Sequence, residues 1–255
     1  MRLTAAMFIL LVSPRPTLGQ VPGANLAVET KVTAVSMHGD TAYVTYVLSN
    51  NASSAERMFR FMVDAPAAPV YLSLPTPAGG WTSGKMFGER SVARWAALGQ
   101  RMLPGEESPA LTQRAIGLPG VVISWVRGYT PPSDVIPSDT LPLEDPPSVT
   151  DSTVGVDDFP LIRTASTFIT RLDSLLDLTC GTSLAWITSS TVCTSLGAKL
   201  DLASQKLSQA DTAGAEQQLQ SFLSELEAQH GVGLPVTDNA YWLLKANAEY
   251  IIAQI

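Results

Sequence analysis

Apolar and polar positions alternate with a period of two in the first half of the chain. In residues 26–35 the apolar face carries Val28 and Val32, and charged or hydroxyl side chains lie between them. This alternation is typical of a strand with one buried face. The residues HGD at 38–40 predict a turn, and the aromatic and β-branched run 41–50 predicts the partner strand of a hairpin.

Further strands follow at similar spacing and bring the expected number to about seven. The clearest runs lie at 26–35, 41–50, 59–63, 70–74 and 120–128. The sequences PGE at 104–106 and GLPG at 117–120 predict turns between them. This pattern predicts a β-sandwich over residues 26–129, and the region resembles the immunoglobulin-like or fibronectin-like sandwiches common on exported bacterial proteins.

After Phe159 the period of the apolar positions changes from two to about 3.6, which is the period of an α-helix. Asp211 and Thr237 occupy positions expected of helix N-caps, and Gly231 is expected to end a helix. Four such helices with short connections predict a small four-helix bundle over residues 159–255. The four apolar stripes are Leu161, Ala165, Phe168, Leu172 and Leu175; Leu196, Leu200, Ala203 and Leu207; Ala215, Leu219, Phe222 and Leu226; and Tyr241, Leu244, Ala248, Ile251 and Ile255.

The segment between the two halves, residues 130–158, is rich in Pro and Ser and carries seven acidic residues and no basic one. Such a composition cannot bury enough apolar surface to offset ordering, so it predicts an acidic, semi-extended linker. Its carboxylates recur about every six residues, which raises calcium binding as an alternative, although ligands at alternate positions and a turn glycine are missing. These carboxylates are Asp134, Asp139, Asp145, Asp151 and Asp157.

The N-terminus has the pattern of a secretory signal peptide, residues 1–19, cleaved before Gln20. Arg2 precedes an eight-residue apolar run at 5–12, and small side chains stand before the expected cleavage site. The run is far shorter than the ~20 residues of a membrane-spanning helix, so no membrane insertion is expected. The predicted location is secreted, periplasmic or on the cell surface.

Charge excludes one class of partner. The chain has a net charge of −7 and no basic stripe, so it lacks the electrostatic attraction that drives binding to nucleic acid.

The two cysteines of the chain, Cys180 and Cys193, lie between two predicted helices. In an exported protein they are expected to pair in a disulfide, which would stabilise the bundle by about 3 kcal/mol in the chain-entropy model. Zinc would need further ligands, and the two histidines, His38 and His230, show no ligand spacing relative to the pair. We therefore predict no metal and no cofactor, and we expect Trp186, within the loop, to pack onto the bundle.

Three stretches of the helical half carry a family resemblance: WITSSTVCTSLGAKLDLA from Trp186, AGAEQQLQSFLSELEAQHG from Ala213, and AYWLLKANAEYIIAQI from Ala240. Together they resemble the FIMAH domain, a helical module at the C-terminus of exported bacterial proteins. The resemblance covers roughly residues 183–255 and implies an accessory or interaction module, with no catalytic residues to transfer. It rests on Leu196, Lys199, Leu200, Leu219, Phe222, Leu223, Leu243, Leu244, Ala248 and Ile252.

No arrangement of a nucleophile with a base stands out in the sequence, and its adjacent carboxylates fit solvated loops. The leading prediction is therefore an exported, non-catalytic binding or scaffolding protein with an extracellular glycan or protein partner. Trp81, within the glycine-rich stretch 79–85, is the candidate ligand-binding residue; its alternative role is packing within its own domain. Two further alternatives remain: a hydrolase acting on a cell-wall or extracellular polysaccharide, and a purely structural surface module.

Overall fold

The computed structural model describes residues 26–65, 72–87, 91–97, 102–129 and 149–255. The predicted signal peptide and residues 130–148 of the predicted linker lie outside these residues. The described residues form eight strands and four helices. The strands are β1 Val28–His38, β2 Thr41–Asn50, β3 Arg57–Asp64, β4 Thr82–Phe87, β5 Ser91–Ala96, β6 Leu111–Ile116, β7 Leu118–Tyr129 and β8 Val149–Asp157.

The strands form two antiparallel sheets in a sandwich-like arrangement. The first sheet has the order β1-β2-β6, and the second has the order β4-β5-β3-β7-β8. Tyr46 of the first sheet contacts Phe61 and Trp95 of the second, with ring centroids 5.4 and 5.8 Å apart. The Tyr46 hydroxyl also donates a hydrogen bond of 2.7 Å to the carbonyl of Val154. Large rings therefore fill the space between the sheets, as expected of a sandwich core.

The first hairpin follows the prediction but contains a bulge. Gly39 has a φ of +57°, which suits the tight turn between β1 and β2. The register shifts between Val32 and Ala34, so Val32 and Val35 are both buried although they lie three positions apart. An extra residue in one strand reverses the alternation beyond it, which is why a strict period of two could not locate this inward face.

Two of the strand and linker predictions need correction. At 70–74 the described part contains no strand of the sheets, and Ser73 makes a single bridge to Arg114. The predicted linker 130–158 is wrong at its C-terminal end, because residues 149–157 form β8 and pair along β7. Val154 and Val156 are fully buried, so these few apolar residues are sufficient for a strand within an acidic segment.

The helices are α1 Ala165–Cys180, α2 Ser190–Ser208, α3 Thr212–Ala228 and α4 Asp238–Ile252. Asp211 and Thr237 are N-caps, as predicted: their side chains accept hydrogen bonds from the backbone of Gly214 and Ala240. The predicted disulfide is confirmed between Cys180 and Cys193, with their Cα atoms 6.1 Å apart. It joins the end of α1 to the first turn of α2. Among the described residues, no helix is long and apolar enough to cross a membrane.

Helix α4 joins the helices to the sandwich. Nine of its 15 residues are buried, which is more than one apolar stripe requires. Of the predicted stripe, Tyr241, Leu244, Ala248 and Ile251 are buried, and we call them the inner stripe. Ile255, the fifth predicted member, lies beyond the end of the helix and is partly buried. A second stripe is also buried, and it faces the strands; we call Ala240, Leu243, Asn247 and Tyr250 the outer stripe.

Polar contacts hold the two halves together at both sides of the junction. The Asn247 amide donates to the carbonyl of Pro119 at 3.0 Å, and the Tyr250 hydroxyl donates to Asp40 at 2.9 Å. On α1, the Arg171 guanidinium lies 3.1 Å from the carboxylate of Asp157 in β8. The apolar cores of sandwich and helices form one continuous cluster, so the two halves pack as a unit.

Candidate functional site

Trp81, the residue predicted to contact a ligand, is buried. Its side chain is 6% exposed and belongs to the core. Gly79 and Gly80 have φ values of +65° and +75°, and the turn they allow directs the chain into strand β4 with the indole facing inward. The ring is therefore not exposed, and its burial favours the alternative of packing within its own domain.

The described residues contain a groove of about 420 Å³ between the sandwich and the helices, which we call the interdomain groove. Glu29, Thr30 and Lys31 of edge strand β1 line one side. Trp186 and residues between Gly231 and Asn239 line the other side. The groove therefore exists only because the two halves of the chain meet.

Glycines shape the connection between α3 and α4, residues 229–237, which we call the α3–α4 loop. Gly231 and Gly233 have φ values of +144° and +77°, in the region that favours glycine. The backbone N–H of Val236 donates to the carbonyl of Gln229 at 3.1 Å and closes the loop at its base. Val232 is therefore fully exposed at the tip, and Leu234 beside it is 48% exposed.

Trp186, on the same side of the groove as the α3–α4 loop, belongs to residues 181–189, which we call the disulfide loop. Cys180 and Cys193 flank it, and Trp186 within it is 8% exposed, as the sequence predicted. The N–H of Thr237 donates to the carbonyl of Trp186 at 3.0 Å, and that of Thr188 donates to the carbonyl of Pro235 at 3.0 Å. These bonds join the two loops, so the disulfide indirectly supports the whole wall.

A histidine fixes the base of the α3–α4 loop. The His230 ring stacks on Tyr241 with centroids 4.0 Å apart and planes 4° apart. Its Nε2 lies 2.6 Å from a carboxylate oxygen of Asp238, in the first turn of α4. Burial, and then the nearby Glu227 carboxylate, raise the pKa of Tyr241, so its ring remains neutral under the histidine. These contacts position the loop.

The groove carries charge of both signs at its rim. Lys31 lies 3.7 Å from Glu29, and both side chains are well exposed to solvent. Asp238 is the other acidic group of the lining. The described residues contain no cluster of three or more His, Cys, Asp or Glu side chains that could hold a metal ion.

A second polar cluster lies between α2 and α3. Lys199 pairs with Glu225, and the Ser195 hydroxyl donates to the same carboxylate at 2.8 Å. The Lys199 ammonium also donates to the Ser195 oxygen at 3.1 Å. Both charged side chains are about three-quarters buried, and each is satisfied by the other, so the cluster crosslinks two helices.

The exposed apolar side chains of the described residues are all aliphatic. The described Phe, Tyr and Trp side chains are buried or half-buried, and the half-buried ones are Tyr43, Trp125, Phe159 and Trp242. The exposed side chains are Leu103, Ile116, Leu161, Ile162, Leu178, Leu202, Val232 and Leu234. Val232 and Leu234 are the members of this set that line the groove.

One local feature of the sequence indicates this site, although it follows neither helix nor strand periodicity. The stretch GVGLP at 231–235 places two aliphatic residues among glycines and a proline, where a polar loop is expected. The charged side chains among the apolar positions of 26–35 include Glu29 and Lys31, but nothing local indicates that this strand face meets a loop some 200 positions later.

Comparison with known proteins agrees with the helical part of this description. Residues 185–253 match the model of the FIMAH domain. Among solved structures, the chain is similar to a cohesin module from a Clostridium perfringens family 33 glycoside hydrolase, at 9% identity and a TM-score of 0.27, covering 41% of this chain and 84% of that one. No curated protein matches the chain. The stretch that matches the FIMAH domain model, residues 185–253, supplies one wall of the groove.

Proposed function

We propose that this chain is an extracellular, non-catalytic binding module that takes an extended protein segment in the interdomain groove. The observation that carries the proposal is the groove itself, with exposed Val232 and half-exposed Leu234 at its rim. In this proposal the two facing antiparallel sheets form an immunoglobulin-like or fibronectin-like sandwich that supports one wall, and the FIMAH domain supports the other.

A protein partner fits this surface better than a glycan. Sugar rings are usually held by stacking on exposed aromatic rings, and the side chains at the rim are aliphatic. Trp186 lines the groove, but at 8% exposure it offers little ring surface for stacking. Exposed aliphatic side chains beside a polar strand are typical of sites that bury an apolar side chain of a peptide.

The contacts of the charged side chains at the groove also favour a binding function over hydrolysis. At the groove, Glu29 contacts Lys31, and His230 contacts both Asp238 and Tyr241. These contacts hold the loop in place, and none of them joins a nucleophile to a base. We therefore prefer a binding module to the alternative of a polysaccharide hydrolase.

The proposal places the protein outside the cytoplasm. The disulfide is compatible with this location, because such bonds persist in oxidising compartments. Export through a signal peptide at residues 1–19 belongs to the same proposal, and secreted, periplasmic and surface-attached forms all satisfy it.

The test is selection of linear peptides from a random phage-displayed library on the full mature chain. We expect enrichment of peptides with aliphatic residues, and an affinity roughly five- to tenfold lower for Leu234→Asp, because a half-exposed leucine contributes roughly 1–1.5 kcal/mol when buried. Leu202→Asp is the matched control, since Leu202 on α2 is 44% exposed and Leu234 is 48% exposed.

Three outcomes would contradict the proposal. One is a library with no enriched peptide, and another is equal loss of affinity in both aspartate variants. The third is saturable binding to a panel of soluble cell-wall polysaccharides with peptide binding absent, which would favour a glycan partner. Release of sugar products from that panel would favour the hydrolase.

A further inference from the structure

The two sheets of the sandwich end on the side that faces the helices. Strand β1 is an edge of the first sheet, and β8 is an edge of the second. Helix α4 lies against β1, β7 and β8, and its most extensive strand contact is with β1. One helix therefore covers the side of the sandwich where both sheets stop.

The outer stripe of α4 is adapted to this position. Ala240, Leu243, Asn247 and Tyr250 follow one another at the three- and four-residue spacing of a single helix face, and all are buried. A stripe of this kind is redundant for a four-helix bundle, because the inner stripe already supplies the bundle contact. Strands β1, β7 and β8 contact this helix, and the Tyr250 ring also packs against Phe168 of α1.

Two polar side chains of the stripe fix its register on the strands. Asn247 donates to the carbonyl of Pro119 in β7, next to the β8 edge. Tyr250 donates to Asp40 in the turn that follows β1. These two contacts tie the C-terminal half of the helix to β7, beside the β8 edge, and to the turn that follows edge strand β1.

Uncovered edge strands pair with the strands of other molecules unless something blocks them, and a covering helix is one such device. We propose that the outer stripe of the FIMAH domain is an edge cap, which keeps β1 and β8 from pairing with strands of a second copy of this chain. The outer stripe therefore fits the edge of a β-sandwich, and in this protein that edge belongs to the same chain.

The test uses the full chain with Asn247→Ala and Tyr250→Phe combined, which removes both polar docking contacts and keeps the apolar ones. Hydrogen exchange is expected to be at least about tenfold faster in β1 and β8, and unchanged in α2 and α3. The control is Lys245→Ala with Glu249→Ala, which removes an ion pair on the same helix and leaves the outer stripe intact.

Association is the second readout, measured by sedimentation at rising protein concentration. The docking variant is expected to form dimers and larger species, and adding Ala34→Lys is expected to restore the monomer, since Ala34 is an exposed position of β1 and a lysine there hinders edge pairing. Faster exchange in β1 with no association at any concentration would overturn the proposal. So would unchanged exchange in β1.

Native-state exchange of the unmodified chain keeps the proposal testable if the variants fail to fold. Under increasing denaturant, the β1 amides and the α4 amides should become exchangeable through one shared opening. Opening of α4 that leaves β1 fully protected would show that the helix does not cover that edge.

Discussion

Removing the disulfide tests how the groove wall is built. The perturbation is the double variant Cys180→Ala/Cys193→Ala in the full chain. The bond joins positions separated by 13 in sequence and closes the disulfide loop, which carries Trp186. Both sulfurs are partly buried against the core, so alanine fills most of the space without exposing a charge.

The expected loss of stability follows from loop closure. A loop of this size removes chain entropy from the unfolded state equivalent to about 3 kcal/mol. The backbone and capping hydrogen bonds of the loop remain in the variant, including those to Thr237 and Pro235, so we expect the helices to fold. For a chain of this length the loss corresponds to a decrease in Tm of roughly 6–12 °C.

The assay is urea unfolding followed by circular dichroism of the helices and, separately, by tryptophan fluorescence. The unmodified chain treated with a phosphine reductant should move to the stability of the double variant, and the variant itself should not respond to the reductant. A difference below about 1 kcal/mol between the oxidised chain and the double variant would refute the reasoning, because the loop would then be fixed by its other contacts.

Three other changes test single side chains by urea unfolding. Tyr46→Phe removes the buried hydroxyl bonded to the Val154 carbonyl and should cost about 1–3 kcal/mol; an unchanged midpoint would contradict the bond between the sheets. Burial and then Asp40 raise the pKa of Tyr250 from 10.0 to about 12, so its contribution is complete below pH 10 and is lost as the pH rises through 12. Relative to Tyr250→Phe, the unmodified chain should therefore lose stability between pH 10 and 12, and parallel curves would contradict this. Burial and two neighbouring aspartates raise the pKa of Asp173, so Asp173→Asn should add a few tenths of a kcal/mol at pH 7 and less in acid; a destabilised variant would contradict the repulsion.

The helical half was well predicted because its signals are local. Caps at Asp211 and Thr237, and the inner stripe of α4, depend on residues three or four positions apart. The disulfide followed from the compartment and from the absence of a third cysteine. Each of these inferences needs only a short window of sequence.

The contacts between the halves were not predicted, because they join distant positions. Strand β8 was not predicted because acidic residues surround it in sequence, although Val154 and Val156 supply its buried face. The outer stripe of α4 contains Asn247, which a polarity pattern assigns to solvent, and its partner Pro119 is 128 residues away. Trp81 illustrates the reverse case: glycines around an aromatic residue suggested exposure, and the turn they allow buries it.

The interdomain groove as the binding surface is tested most directly by amide chemical-shift mapping with a peptide enriched on the mature chain. The account predicts that shifts at saturation concentrate at residues 29–31, at Trp186 and along 231–239. The same peptide should leave the amide chemical shifts around Leu202, on the exposed face of α2, unchanged. Shift changes confined to another face of the sandwich or the helices, with unchanged amide shifts at the groove, would contradict this account.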